Sequence, residues 1–279
     1  MTLEAAFLAA CAEELAAPKP GNVHVHADGH GMTVADFLRS AEAAAPALCR
    51  AGAALGERIF EAVAATRAAV GQNTNLGIVL LCAPLLVAAE QHPPDLRSAV
   101  GRVLDSANIG DAEAVFAAIR LAAPGGLGEA PRHDVRRPAA VTLVVAMAES
   151  AHRDSIARQW TNGFADVFGL GTDAYAAARR RWREPEWAAL AAYLAFLAAF
   201  PDSHVLRKHG PDQAEHVRRE AEPVRARVWR EREPSRSLPA LLEWDRQLKR
   251  RRINPGTSAD LTVATVLGWQ LAYCCASES

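Results

Sequence analysis

The stretch Gly71-Gln72-Asn73-Thr74-Asn75-Leu76-Gly77-Ile78-Val79-Leu80-Leu81-Cys82-Ala83-Pro84-Leu85-Leu86-Val87-Ala88-Ala89 sets a polar loop against the most apolar run of the chain. The run from Leu76 to Ala89 is too short to cross a bilayer, which needs about 20 residues. It reads instead as a helix buried in the protein's own core. Asn73 and Thr74 are natural caps for it. Three amide side chains and a threonine are nevertheless more polar groups than one cap requires. A helix start also offers free N–H groups and partial positive charge, a natural seat for phosphate.

Outward from this segment, a period of three to four residues dominates. Leu3, Phe7, Cys11 and Leu15 form one apolar stripe, and Leu55, Ile59, Val63 and Val70 another. Thr33 followed by Asp36 is a capping box that opens a helix reaching about Arg50. Asp111 opens a helix to Ala123, stopped by Pro124-Gly125-Gly126. Pro185 suits the first turn of a helix containing Trp187, Leu190, Leu194 and Leu197. Thr257 and Asp260 open a last apolar helix through Leu261, Val266, Leu267 and Leu271. Val141 to Val145 alone resembles a strand, and its alanine-rich flanks suit a buried helix equally well. The charged region Glu215 to Arg252 reads as a solvated helix pair. No repeat or linker divides the chain. The fold expected is all-α: a single domain over residues 1–279, a bundle of roughly ten helices.

The chain has 279 residues, half of them hydrophobic, enough for a core without staples. Its formal net charge of -1 argues against nucleic acid or an anionic membrane as partner, since both need a sustained basic face. Cys11, Cys49, Cys82, Cys274 and Cys275 form no CxxC pair and read as reduced thiols. The opening MTLEAAFLAACAEELAAPK carries acids where a signal peptide carries bases, which points to a cytoplasmic protein. A homodimer is compatible with the sequence.

Chemistry in a helical protein belongs where helices start, stop or face a cleft. Lys19-Pro20-Gly21-Asn22-Val23-His24-Val25-His26, followed by Asp28-Gly29-His30, combines a point charge for phosphate with a glycine that lets backbone approach a ligand. Its histidines lack regular metal spacing and suit acid–base work better than zinc. Gly125-Gly126-Leu127-Gly128-Glu129 holds a carboxylate in a flexible loop. Asp154 and Arg158 are four apart and share a helix face, as a surface ion pair or as a carboxylate beside a phosphate-binding guanidinium. Asp202 caps a short helix whose end carries Arg207, Lys208 and His209. Asn254-Pro255-Gly256-Thr257-Ser258-Ala259-Asp260 opens another helix, with Asp260 as its capping acid or as something more. The chain has no GxxxxGK[ST], GxGxxG, HExxH or GxSxG motif. These basic, amide and carboxylate groups fit a Mg²⁺-bound nucleotide polyphosphate.

In order, KPGNV, GHGM, NTNLG, GLGEA, Asp154 to Arg158, PDS…RKHG and NPGTSADL resemble the triphosphoribosyl-dephospho-CoA synthase family from about Leu3 to about Leu271. The citrate-lyase type of that family commonly reads Asn-Thr-His-Lys-Gly where this chain has Asn73-Thr74-Asn75-Leu76-Gly77, which marks a divergent branch. The resemblance implies an all-helical enzyme that moves the triphosphoribosyl group of ATP onto the ribose 2′-hydroxyl of 3′-dephospho-CoA and releases adenine. Its partners would be a small-molecule nucleotide and a cofactor precursor. A Mg²⁺-dependent ribosyl hydrolase, or a transferase serving a pterin-type one-carbon cofactor, are the competing readings.

Breaking a ribosyl C–N bond builds oxocarbenium character, which a carboxylate stabilises. On that logic Glu129 is the expected general base or charge stabiliser, with His24 or His30 as proton partner. Asp154, Asp202 and Asp260 are the expected Mg²⁺ ligands, with Asn73 as a neutral one. Lys19, Arg158 and Lys208 are expected to hold the polyphosphate. Gly21, Asn22, Thr74, Asn75, Gly77 and His209 complete the expected nucleotide site.

Overall fold

The computed structural model describes residues 1–128 and 130–276. Among these residues the helices are α1 (Leu3–Ala16), α2 (Val34–Leu48), α3 (Leu55–Val70), α4 (Leu76–Ala89), α5 (Leu96–Ser106), α6 (Ile109–Ala122) and α7 (Leu143–Ala148). They continue as α8 (Ser155–Asn162), α9 (Thr172–Arg181), α10 (Pro185–Ala199), α11 (Ser203–His209), α12 (Pro211–Arg230), α13 (Leu238–Arg250) and α14 (Gly256–Ala276). No strand occurs among the described residues.

The protein is all-α, with fourteen α-helices among the described residues where roughly ten were expected. The excess comes from short helices such as α7, α8 and α11, too brief for an apolar period to show. Of Val141 to Val145, the residues from Leu143 on form the start of α7, with Thr142 at its N-cap, and none lies in a strand. The Thr33–Asp36 capping box forms: Thr33 Oγ1 accepts from the Asp36 amide at 3.2 Å, and the Thr33 amide donates to Asp36 at 2.8 Å. Helix α6 starts two residues ahead of Asp111, because Asn108 is the cap and Asp111 is its reciprocal partner. The other oxygen of Asp111 accepts from Gly56 at 2.8 Å and ties α3 to α6. The charged region forms α12 and α13, as its composition requires.

Helices α4 and α14 pack on each other at the centre. Every residue of α4 except Gly77 and Val87 is buried. Truncating Leu81 or Leu85, both wholly enclosed, to alanine costs about 2–5 kcal/mol by lost transfer energy and the cavity left behind. One group of helices, α2, α3 and α6, packs onto α4 through α3; another, α9, α10 and α12, reaches α14 through α10. Helix α1 joins the two groups, touching α2, α10 and α14. Cys11, Cys49 and Cys82 are free thiols, and burial raises all three above the ordinary thiol range, Cys49 to about 11. Among the described residues no single helix is long and apolar enough to cross a membrane.

Candidate active site

A cavity of about 610 Å³ opens where the first turns of α4, α8 and α14 meet α11 and the connection between α6 and α7. That size accommodates a nucleotide-scale ligand. Its inner wall is apolar and buried, with Leu76, Ile78, Leu80, Ile156 and Ala259. Its outer wall is cationic and exposed. Arg132 there pairs with Glu149 at 2.7 Å, and Arg207 with Asp154 at 2.9 Å. Arg67, Arg153 and Lys208 also line the cavity and have no ion pair among the described residues.

Asp260 lies in the first turns of α14 but caps nothing. Its carboxylate packs against Gly77 in the first turn of α4, where an added Cβ would sit 2.0 Å from Asp260 Oδ2. Glycine is therefore required at position 77 by close approach. No hydrogen bond reaches the Asp260 carboxylate among the described residues. Burial, then the nearby Glu14, Asp202 and Asp154 carboxylates, raise its carboxyl well above the usual carboxylate range, and Arg207 only partly offsets them. Glu14 lines the same cavity from α1. Sequence reading passes over it, although an acid on the same face as Phe7, Cys11 and the core is a signal.

The KPGN turn is held from several sides. Gly21 has φ +84°, and an added Cβ would meet Pro255 at 2.8 Å. Its amide donates to buried Asp245 at 2.8 Å, and Tyr193 donates to the Pro20 carbonyl at 2.6 Å. Asn22 donates to Asn254 at 2.9 Å, which joins the KPGN and NPGT loops; both amides line the cavity. His30 sits at the tip of the tight Gly29–Met32 turn, with φ +58° at His30 and +75° at Gly31, the pattern of a type I′ hairpin turn. His30 Nε2 lies 2.8 Å from the Gly21 carbonyl, and the ring lines the cavity. Burial and the Lys249 and Lys208 charges lower its pKa. His204, on the same wall, is lowered to about 3 by burial and by Lys208 and Arg207, so it is neutral at physiological pH.

Of the residues expected from sequence, the cavity thus gathers Asn22, His30, Asn73, Thr74, Gly77, Asp154, Lys208 and Asp260. Others are placed elsewhere. Lys19 is buried, and its ammonium is used by Glu14 Oε1 at 2.9 Å, the Glu14 carbonyl at 2.8 Å and the Val23 carbonyl at 2.9 Å. It braces the turn and presents no charge to phosphate. His24 is buried with Nε2 3.4 Å from Asp245 and stands away from the cavity, which leaves His30 as the histidine of that loop with access.

Asp202 is buried and saturated: it caps α11 through the His204 and Val205 amides and accepts from the amide and hydroxyl of Ser258. Arg158 does not pair with Asp154; it bonds Asp166 at 2.8 Å and stacks on Phe200. His209 meets the Arg252 carbonyl at 3.1 Å, outside the cavity. Asn75 is buried against Ser40 and Thr66, so its role is to anchor α4 to α2 and α3. Thr74 bonds the Ser40 hydroxyl at 2.5 Å, and Asn73 accepts from the Leu76 amide at 3.2 Å. Gly21 shapes its turn without lining the cavity. Glu129 lies outside the described residues; Gly128 and Ala130 on either side of it line the cavity. Among the described residues no group of three His, Cys, Asp or Glu is placed to hold a metal ion, so the expected Mg²⁺ set of Asp154, Asp202 and Asp260 does not form.

The model of the CitG family, ATP:dephospho-CoA triphosphoribosyl transferase, matches residues 1–275. The chain belongs to this family. A solved structure from Archaeoglobus fulgidus, provisionally named a triphosphoribosyl-dephospho-CoA synthase, is similar to the chain with a TM-score of 0.63 and 25% identity. The match covers 85% of this chain and 98% of that one. A comparison with curated proteins finds no match. The protein is accordingly a transferase of cofactor biosynthesis, with ATP as triphosphoribosyl donor and dephospho-CoA as acceptor. Its helical architecture agrees with that membership.

Proposed function

We propose that the cavity between α4, α8, α11 and α14 is where the triphosphoribosyl transfer takes place. Adenine enters the apolar inner wall, and the triphosphate lies toward the cationic mouth, where Arg67, Arg153 and Lys208 have charge to spare. Lys208 keeps the role its sequence position suggests, and the two arginines replace Lys19 and Arg158.

The observation that carries this reading is Asp260: a carboxyl without a hydrogen bond among the described residues, facing the cavity and raised by burial and neighbouring acids. A carboxyl whose pKa is raised holds a proton more readily than an ordinary aspartate, and the departing purine must gain a proton as its bond to C1′ breaks. Asp260 therefore protonates the leaving adenine. His30 takes the proton from the acceptor's 2′-hydroxyl as that oxygen bonds C1′. The electron pair of the C1′–N bond stays with adenine, and the proton count balances through the two side chains. Glu129 enters as stabiliser of the oxocarbenium-like centre on its sequence position alone. The carboxylates do not fit a magnesium centre built by the protein: Asp202 is saturated, Asp154 is paired with Arg207, and Asp260 is held toward its neutral form. Mg²⁺ arrives as the counterion of ATP, part of the substrate.

Incubation with ATP, Mg²⁺ and dephospho-CoA should release adenine and yield a heavier acceptor by mass spectrometry. Asp260→Asn should slow adenine release by about 10²–10⁴-fold, the span of a lost general acid. Wild-type release by the folded variant would remove Asp260 from the chemistry. Adenine release without any acceptor would favour hydrolysis.

A further inference from the structure

His30 is held in an unusual way. Both central residues of its two-residue turn have positive φ, a setting that asparagine, aspartate or glycine fills at less strain than histidine. The ring is fixed by one contact, Nε2 to the Gly21 carbonyl at 2.8 Å. A carbonyl oxygen only accepts, so Nε2 must carry hydrogen. In the neutral ring the lone pair is then on Nδ1, which has no hydrogen-bond partner among the described residues. The tautomer needed of a base is thus selected by the backbone of the KPGN turn.

That turn answers in its position to one buried carboxylate. Asp245, on α13, accepts from the Gly21 amide at 2.8 Å, lies 3.4 Å from His24 Nε2, and receives Lys249 at 3.0 Å. Lys249 in turn donates to the Ala27 carbonyl at 3.0 Å, so the same pair grips the chain on both sides of His24. Gly21 therefore faces two ways, its amide toward Asp245 and its carbonyl toward His30. Asp245 itself does not line the cavity.

We propose that Asp245 is a positioning residue for the transfer: by holding the Gly21 amide it aims the Gly21 carbonyl at His30 and so presents Nδ1 to the acceptor hydroxyl. The inference rests on His30 as the base. Asp245 also acts through charge. The groups that bear on His30 are Lys249 and Asp245 from α13 and Lys208 and His204 from α11; of these Asp245 supplies the negative charge. Removing it leaves the lysines to lower the pKa of His30 further.

The test uses Asp245→Ala, Asp245→Asn and His30→Asn in the full-length protein, with folding followed by circular dichroism and Tm. His30→Asn suits the turn and should keep Tm while losing about 10²–10⁴-fold in kcat. Asp245→Ala should lose about tenfold or more in kcat, the size expected when a catalytic group is misplaced, with KM for ATP changed little. Asp245→Asn retains an oxygen for the Gly21 amide. It should recover most of the rate while moving the acid limb of the kcat/KM profile to lower pH. In a His30→Asn background, Asp245→Ala should cost no further activity.

Full activity in His30→Asn would overturn the base and the inference together. With His30→Asn inactive, a wild-type rate in Asp245→Ala would overturn the positioning role alone, and so would additivity of the two losses. If Asp245→Ala does not fold, Asp245→Asn decides: an unmoved acid limb rejects the coupling, a shifted one supports it.

Discussion

At the scale of single residues, Gly77 and Asp260 form the pair on which the chemistry depends. An alanine in the first turn of a helix ordinarily helps it, since glycine is about 1 kcal/mol less favourable there. At position 77 the new methyl would meet Asp260 Oδ2 at 2.0 Å and Ile156 Cδ1 at 2.9 Å, so the carboxyl must move. Gly77→Ala should therefore cut kcat by tenfold or more, on the order expected for a displaced catalytic group, and lower Tm through the same overlap. Gly101, in α5, has nothing within 4 Å of an added Cβ. Gly101→Ala should leave activity unchanged and stabilise by about 0.5–1 kcal/mol. Equal activities in the two variants would reject the Gly77–Asp260 contact. Asp260 also separates function from stability. Its pKa is raised in the fold, so its contribution to stability is present below the ordinary aspartate pKa and is lost as pH rises through the folded value. Asp260→Asn should accordingly be at least as stable as the parent at pH 7, and an activity loss there cannot be ascribed to unfolding.

At the scale of elements, local signals in the sequence carry far and non-local ones do not. The Thr33–Asp36 box, Pro185 at the start of α10 and the buried run of α4 each depend on residues within a few positions, and each forms. The acids Asp154, Asp202 and Asp260 look alike in sequence, all at helix starts. In space Asp154 and Asp202 accept from the amides of their own helices, a local bond, and are further occupied by Arg207 and Ser258 from distant segments, whereas Asp260 accepts no hydrogen bond among the described residues and lies against Gly77 of α4. The partners of Lys19 and Arg158 were hidden for different reasons: Glu14 sits on the preceding helix and points inward, while Asp166 lies beyond the end of α8. Asp202 accepts four hydrogen bonds and so has no lone pair left for a metal of strict octahedral demand, and Asp154 spends its second oxygen on Arg207. Mg²⁺ alone at millimolar concentration should leave Tm unchanged, whereas ATP with Mg²⁺ should raise it. A rise with Mg²⁺ alone would restore a protein-held metal.

At the scale of the whole molecule, a formal net charge of -1 conceals an uneven arrangement. Many surface cations are neutralised nearby, as Arg50 is by Glu57 and Glu61, Arg218 by Glu215, and Arg246 by Glu243. Arg67, Arg153 and Lys208 escape this pairing among the described residues, and they come from α3, the α7–α8 connection and α11 to one mouth. Such convergence over a concave, low-dielectric wall focuses the field on an approaching polyanion without making the protein basic overall. Screening reaches about 10 Å at 0.1 M salt, so distant surface charges drop out at physiological ionic strength while those at the mouth continue to act on a bound triphosphate. The expectation is that kcat/KM for ATP falls steeply between low salt and 0.3 M and kcat falls little. Arg153→Met and Lys208→Met should each raise KM for ATP and flatten the salt dependence. Arg246→Met, whose charge is already spent on Glu243, should follow the parent curve. Parallel salt curves for the parent and all three variants would mean that the triphosphate does not pass this mouth, and the cavity would have to be entered from elsewhere.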